Sequence, residues 1–223
     1  MRYMIHCCPQ RMWYVNEYLV PSMVNQGIAK DDIIIWNDTE KIGNLKSFIE
    51  SMRYIGNNFP RDEGIWHIQD DVIICRDFAK RTKETYDNIG IISGFICGAW
   101  TGCNQNRLDE QSIMHTWVSF PCIYIPNKYC LAFVNWINTR GERLYPSKWE
   151  NGSYDDFFFI EFIKKTQPEA ICHNIKPNLV DHIDYLIGSS TLRKYKPGDE
   201  IKRSMYFEDT DLVDKLEEEL KRR

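Results

Sequence analysis

The sequence predicts an α/β fold with a mainly parallel central sheet and helices on both faces. Short apolar runs typical of buried strands occur at residues 2–8, 33–36 and 64–68, and helical patterns separate them. The runs are continuously apolar rather than alternating, which is typical of strands covered on both sides. With 223 residues, 43% of them hydrophobic, the chain is long enough to bury such a core.

Residues 2–26 supply the first predicted strand and helix. Residues 2–8 are mostly apolar and stop at Pro9, as a buried strand would. Residues 11–26 carry apolar side chains at helical spacing, and Pro21 is predicted to kink or split that helix because proline removes a backbone donor. Gly27 is suited to end it. The later elements of this half are a strand at 33–36, a helix at 44–56 and strands at 64–68 and 89–97.

The second half is less regular. Residues 98–116 are polar and without a clear period, which predicts a long loop of functional importance. The remaining predicted elements are a strand at 117–125, a helix at 128–138, a loop at 145–154, a helix at 155–165 and a strand at 170–175. We predict one domain over residues 1–208, and an amphipathic helix over 209–223 that packs on it or on a partner.

Composition excludes several classes of protein. The net charge of −4 argues against a surface built mainly for nucleic acid. The eight cysteines contain no CxxC pair and no zinc-like spacing, so we expect buried reduced thiols rather than a disulfide framework. The N-terminus has no secretion signal, and no run of 18 apolar residues occurs. We therefore expect a cytoplasmic protein without a membrane span.

The sharpest chemical feature is Gln69-Asp70-Asp71 at the end of the third predicted strand. Hard divalent cations take oxygen ligands, and one or two carboxylates beside substrate phosphates commonly hold Mg²⁺ or Mn²⁺. Adjacent carboxylates also repel each other unless a cation or hydrogen bonds compensate. Two acids that merely cap a turn are an equally good interpretation of this motif alone.

A second feature is Tyr154-Asp155-Asp156 before an aromatic helix. Acids are common at helix N-termini as caps, and this is the more frequent explanation. The functional interpretation is a general base that takes a proton from an acceptor hydroxyl.

The third feature is the segment from Asp181 to Lys194. His182 between apolar residues is more often structural, although neutral imidazole also binds metals of the Mn²⁺ class. The Gly188-Ser189-Ser190 turn, followed by Arg193 and Lys194, is suited either to phosphate oxygens or to a solvated loop.

Taken in order, Gln69-Asp70-Asp71, Tyr154-Asp155-Asp156 and His182 resemble the motifs of GT-A glycosyltransferases, particularly small bacterial and phage-encoded members. The layout covers roughly residues 1–192. The resemblance implies a Rossmann-like GT-A fold whose first half binds a nucleotide. The chain departs from the pattern at Gln69, which stands where the family has an acid. An amide still hydrogen-bonds a ribose hydroxyl but brings no charge.

The resemblance also implies residue roles. Asp71 and His182 would hold Mn²⁺ or Mg²⁺, and Asp156 is the first choice for the catalytic base, with Asp155 second. The implied donor-binding residues are Pro9, Arg11, Asp38, Gly43, Ser47, Gln69, Asp70, Ser189 and Arg193.

The function so implied is transfer of a sugar from a nucleoside diphosphate sugar, such as a UDP sugar, to an acceptor hydroxyl with inversion. The 98–116 loop would close over the donor. The acceptor is either a saccharide or hydroxymethylated phage DNA, in the cytoplasm of a bacterium or of a phage host cell. The basic segment 193–203 suits DNA phosphates, although a solvated strip that helps to bind the donor is the more frequent explanation. The oligomeric state stays open.

Two other classes of function compete with this interpretation. A metal-dependent phosphoesterase or other hydrolase also places acids at strand ends, but it needs a second set of acids for a two-metal site. A non-catalytic nucleotide-binding module would tolerate loss of Asp155 and Asp156. A dehydrogenase and a P-loop NTPase are disfavoured because the chain has neither GxGxxG after the first strand nor GxxxxGKS/T.

Overall fold

The computed structural model describes residues 1–85, 90–95, 111–113, 120–152, 154–188, 203–204 and 206–222. The strands are β1 (Arg2–Cys7), β2 (Ile33–Asn37), β3 (Gly64–Gln69), β4 (Val72–Ile74), β5 (Ile91–Ser93), β6 (Gln111–Ile113), β7 (Cys122–Pro126), β8 (Ile171–Asn174) and β9 (Val180–His182). The helices are α1 (Met12–Tyr14), α2 (Val20–Asn25), α3 (Asn44–Asn58), α4 (Phe78–Glu84), α5 (Cys130–Trp136), α6 (Glu142–Leu144), α7 (Pro146–Asn151), α8 (Asp155–Thr166), α9 (Asp184–Ile187) and α10 (Thr210–Lys221). Helical turns of other types are Pro9–Arg11, Lys30–Asp32 and Asn127–Tyr129 (3-10) and Val15–Leu19 and Ile137–Gly141 (π).

The central sheet has the strand order β2-β1-β3-β7-β5-β8-β6. β1 pairs in parallel with β2 and β3, and β5 pairs in parallel with β8. β7 is antiparallel to both β3 and β5, and β6 is antiparallel to β8. Five of the sheet strands in the described ranges therefore run in one direction and two in the other, so the predicted mainly parallel sheet is confirmed.

Two apolar clusters cover the two faces of the sheet, because successive strand side chains point to opposite sides. On β1, Tyr3 and Ile5 enter one cluster and Met4 enters the other. The Met4 cluster includes buried residues of α3, α5 and α8, and the Tyr3 cluster includes buried residues of the helical stretch after β1 and of α10. Helices on both faces are thus confirmed as well.

Two local predictions need correction, and a third is refined. The helical run continues through Pro21 rather than splitting there, and its hydrogen-bond pattern widens to the π turn Val15–Leu19 directly before α2. Residues 145–154, predicted as a loop, contain α7, which starts at Pro146 and ends at Gly152 with φ +72°. Within the predicted 98–116 loop, residues 111–113 form β6, and the rest of that segment lies outside the described residues.

The C-terminal helix α10 packs on the Tyr3 cluster. Val213 and Leu216 are buried there. At its start, the guanidinium of Arg76 contacts the carboxylates of Asp209 and Asp211. Across the described ranges, none of the helices has the length and apolar character needed to cross a membrane.

The cysteines that the structure describes are free thiols, and all of them except Cys8 are buried. Cys97 and Cys103 lie outside the described residues.

His6 on β1 and His67 on β3 form a pair on the sheet face that α3 covers. His6 Nε2 and His67 Nδ1 lie 2.8 Å apart, and the rings stack with centroids 5.1 Å apart. Phe48 of α3 packs against both rings. Burial lowers the pKa of His6 from 6.5 to about 4, and burial with the charge on His6 lowers the pKa of His67 well below 6.5. Both rings are therefore neutral near pH 7, where one donates and the other accepts.

We expect the free energy of unfolding to fall as the pH drops from 6.5 to about 4, because the unfolded chain then takes up protons that the buried pair does not. The shift of His6 alone corresponds to about 3 kcal/mol. His67→Gln should flatten this dependence, measured from urea unfolding curves at about pH 7.5 and about pH 4.5. His173→Gln, on β8 and outside the pair, is the control. If the unfolding free energy changed equally with pH in the two variants, the His6–His67 pair would not be the source of the dependence.

Candidate active site

The candidate site lies where the parallel strands β1 and β3 end, beside the small sheet formed by β4 and β9. Arg11 ends the 3-10 turn that follows β1, and Asp70 and Asp71 form the turn from β3 to β4. β4 pairs antiparallel with β9, which brings His182 to the acid turn. Ligands of open α/β sheets bind at such carboxyl ends, so these four side chains occupy the position where function is expected.

Arg11 joins the two acids. Its Nη1 donates to Asp70 Oδ1 at 2.9 Å and also to Asp71 Oδ2, and its Nε donates to the carbonyl of Gly188 at 3.2 Å. The second oxygen of Asp70 accepts the backbone N–H of Cys8 at 2.7 Å. Arg11 is 2% exposed, Asp70 6% and Asp71 7%, so this is a buried charge cluster. Buried charges require partners of this kind.

His182 extends the cluster on the other side of Asp71. His182 Nε2 lies 3.3 Å from Asp71 Oδ2, and His182 Nδ1 lies 3.3 Å from Asp184 Oδ1. The side chains of His182 and Asp184 are 12% and 14% exposed. One ligand atom from each of Asp71, His182 and Asp184 can be chosen so that all lie within 4.8 Å of one another.

The charges in this cluster shift the pKa of each member. Burial by itself would raise the pKa of Asp71, but His182 and Arg11 outweigh it and lower that pKa well below its usual range. Burial and the neighbouring charge on Asp71 raise the pKa of Asp70 against the opposing effect of Arg11. Burial would lower the pKa of His182, but Asp71 outweighs it and raises that pKa. Of the two acids, Asp71 is therefore the one that remains ionised to lower pH.

The residues present fit a divalent cation. Asp71 Oδ1 is buried and has no hydrogen-bond partner among the described residues, although a buried carboxylate oxygen normally has one. Two carboxylates and one imidazole form a donor set that suits Mn²⁺, and Mg²⁺ with added water. Asp71, His182 and Asp184 are the residues that would hold the ion.

Asp155 and Asp156 begin α8, as predicted from the sequence. Burial raises the pKa of Asp155 to about 6, with a smaller contribution from the charge on Asp71. The Asp155 carboxyl is thus close enough to the acid turn to be affected by its charge. Asp156 Oδ1 accepts the N–H of Phe157 at 2.6 Å, so this carboxylate satisfies a backbone donor in the first turn of the helix.

Three of the residues predicted to bind a donor nucleotide follow the end of β2, namely Asp38, Gly43 and Ser47. The N–H of Asp38 donates to the carbonyl of Cys7 at 2.9 Å, which joins the ends of β2 and β1. Asp38 accepts the N–H of Ile42 at 2.9 Å and the N–H of Gly43 at 3.1 Å, so it closes its own turn. Gly43 has φ +92°, a conformation that favours glycine. Ser47 is buried near the start of α3.

The start of α3, which follows the turn at Asp38, contacts the segment before α8. The N–H of Leu45 donates to the carbonyl of Gly152 at 2.9 Å. Of the other predicted residues, Pro9 starts the turn that ends at Arg11, and Gln69 ends β3. Ser189 and Arg193 lie outside the described residues.

Asp184 was not among the residues predicted from the sequence. Its position two residues after His182 was a usable signal, because an acid so close to a candidate ligand is well placed to join the same site. The ion pairs of Arg11 were also missed. Arg11 was predicted to bind the nucleotide-sugar donor, not to pair with both Asp70 and Asp71.

No protein-family model matches the chain, and no curated protein matches its sequence. Solved structures do match in fold. The galactosyltransferase LgtC, in complex with donor and acceptor sugar analogs, has a TM-score of 0.47 and 5% identity, covering 79% of this chain and 73% of that one. Drosophila β-1,4-galactosyltransferase 7, in complex with manganese, UDP-Gal and xylobiose, has a TM-score of 0.46 and 10% identity, covering 88% and 77%. The glycosyltransferase GlyE of Streptococcus pneumoniae has a TM-score of 0.44 and 11% identity, covering 78% and 44%.

These structural neighbours are glycosyltransferases. At these TM-scores and identities the neighbours assign no activity to this chain, and its function has to follow from the chemistry of its own site.

Proposed function

We propose that the chain is a metal-dependent glycosyltransferase that moves a sugar from a nucleoside diphosphate sugar to an acceptor hydroxyl. The observation that carries the proposal is the arrangement of Asp71, His182 and Asp184 at the strand ends, where one ligand atom of each lies within 4.8 Å of the others. A carboxyl group of raised pKa at the start of α8 lies within electrostatic reach of this trio. A cation that offsets charge on the leaving diphosphate and a base that takes the acceptor proton both assist direct transfer from such a donor.

The donor diphosphate would be bound by positive charge at the ends of β1 and β3. Mn²⁺ or Mg²⁺ held by the trio would offset the charge that grows on the leaving diphosphate. Arg11 supplies a second cation from the protein itself. Asp70 fixes Arg11 and the N–H of Cys8, so we propose it as the residue that positions the turn after β1. Pro9, in that turn, and Gln69 are proposed to contact the nucleoside.

The remaining donor contacts are proposed around the turn after β2. The carboxylate of Asp38 accepts the N–H groups of Ile42 and Gly43, and its remaining lone pairs would accept a hydroxyl of the ribose or an N–H of the base. Gly43 and Ser47 would line the same side. Ser189 and Arg193 stay predicted diphosphate contacts.

The base is proposed to be Asp155, with Asp156 as the alternative. Its pKa of about 6 is close to the working pH, which is where a general base is most effective. In the step, the acceptor oxygen bonds to the anomeric carbon as its proton passes to Asp155. The bond from that carbon to the phosphate oxygen breaks, and the diphosphate leaves with the electron pair. Direct attack of this kind inverts the anomeric configuration.

The acceptor is proposed to be a saccharide, with hydroxymethylated DNA as the alternative, and Arg203 is the one residue of the basic segment 193–203 that the structure describes. Its guanidinium contacts the Asp181 carboxylate and donates to the Tyr185 hydroxyl at 3.0 Å, so it is not free to meet DNA phosphates. A phosphoesterase is disfavoured because one trio of candidate metal ligands is found in the described part of the chain, whereas a two-metal site needs more acids.

The proposal is tested by a thermal-shift screen of UDP, GDP, CDP and their sugars with and without Mn²⁺. A ligand that binds the native state alone stabilises it, by about 2.7 kcal/mol of unfolding free energy at a concentration of 100 times its Kd. The melting temperature rises as a result. We expect a shift for one nucleotide series that requires Mn²⁺. No shift with any nucleotide would contradict the donor site.

A further inference from the structure

Arg11 is the most deeply buried charged residue of the site. It is 2% exposed, and its Nη1 contacts carboxylate oxygens of both Asp70 and Asp71. Its Nη2 is also buried and has no hydrogen-bond partner among the described residues. A buried guanidinium donor without a partner is costly, so an unused Nη2 indicates a group that acquires a partner in another state of the site.

The contact with Asp71 falls on the carboxylate that a cation would also use, with Oδ2 taken by Arg11 and Oδ1 without a hydrogen-bond partner among the described residues. Asp71 Oδ2 accepts from Arg11 and lies 3.3 Å from His182 Nε2, on the side of the trio. A cation held by Asp71 and His182 would therefore sit close to the guanidinium charge. Like charges repel strongly in a buried environment, where the effective dielectric constant is low.

We propose that Arg11 competes with the divalent cation for Asp71. Without the cation, Arg11 neutralises both acids and keeps the turn folded. When the cation binds, Arg11 releases Asp71 but keeps Asp70, and its Nη groups become donors for the phosphate oxygens of the donor. The binding of phosphate oxygens by the Nη groups rests on the proposed function. The competition for Asp71 does not, because it involves the cation and the protein alone.

The competition is tested by titrating Mn²⁺ into the purified full chain without nucleotide, using calorimetry. Arg11→Met should bind Mn²⁺ at least about tenfold more tightly than the unsubstituted protein, because the repelling charge is gone. Arg11→Lys should fall between the two. Arg81→Met is the matched control, since Arg81 is a largely buried arginine that contacts the Pro177 carbonyl and not the acid pair. Equal or weaker Mn²⁺ binding by Arg11→Met would overturn the proposal.

A second measurement covers the case in which Arg11→Met does not fold without metal. In the unsubstituted protein, the Nε–H resonance of Arg11, assigned from its loss in Arg11→Lys, should shift when Mg²⁺ is added to saturation. A resonance that does not move would overturn the proposal without Arg11→Met having to fold, because the assignment needs only Arg11→Lys, which keeps the positive charge beside the two acids. Both measurements omit nucleotides. A negative result here would therefore contradict the competition at Asp71, whereas a negative thermal-shift screen would contradict the proposed function.

Discussion

Asp71→Asn is expected to lower kcat/KM for sugar transfer by at least about 100-fold, in line with the loss of one preorganised electrostatic group from an active site. Asp71 is the acid whose pKa is held lowest, and it contacts both Arg11 and His182. The amide preserves size but carries no charge, so the trio loses its central carboxylate. The Mn²⁺-dependent rise in melting temperature should disappear in the same variant.

The fold should survive this substitution. Arg11 still pairs with Asp70 at 2.9 Å, and the repulsion between the two neighbouring acids is removed. Circular dichroism and the melting temperature without metal check this point. Asp62→Asn, at an exposed acid before β3, is the control and should retain full activity. Unchanged transfer by Asp71→Asn would remove the residue from the site.

Asp155→Asn is expected to lower kcat by about 10²–10⁴-fold with little effect on KM, which is the usual contribution of a general base. Asp155 is the α8 acid whose pKa burial raises to about 6. Asp156→Asn is the matched comparison, because it removes the same charge one residue later in the same helix. Its carboxylate accepts the Phe157 N–H, so its loss should affect stability more than turnover.

The two variants discriminate between the candidate bases. A large loss of kcat in Asp156→Asn alone would return the role to Asp156, the residue first chosen from the sequence. Equal kcat in both variants and the unsubstituted protein would show that neither acid takes the acceptor proton.

Local patterns in the sequence predicted much of the fold and part of the site. The apolar runs of β1, β2 and β3 are short-range signals, and parallel strands necessarily bring their carboxyl ends together. That rule was sufficient to place Arg11 near Asp70 and Asp71. The start of α8 at Asp155 followed from acids preceding an apolar run.

The parts that were missed depend on contacts between distant segments. β4 and β9 are three residues each, and neither strand was predicted; their pairing brings His182 to Asp71, a proximity that the family resemblance implied and the apolar patterns did not. No local pattern specifies such a pairing. Similarly, the double ion pair of Arg11 depends on how the turn after β1 lies against the turn after β3. Asp184 becomes a candidate ligand only once that geometry is known.

The central claim is tested most directly by incubating the protein with a panel of nucleoside diphosphate sugars and Mn²⁺, and identifying the products by chromatography and NMR. Water can replace an unknown acceptor in slow donor cleavage. The account predicts a free nucleoside diphosphate and a sugar of inverted anomeric configuration from one nucleotide series, with neither formed by Asp71→Asn. Release of a nucleoside monophosphate and a sugar phosphate would instead identify a phosphoesterase, and no product from any donor would contradict the proposed activity.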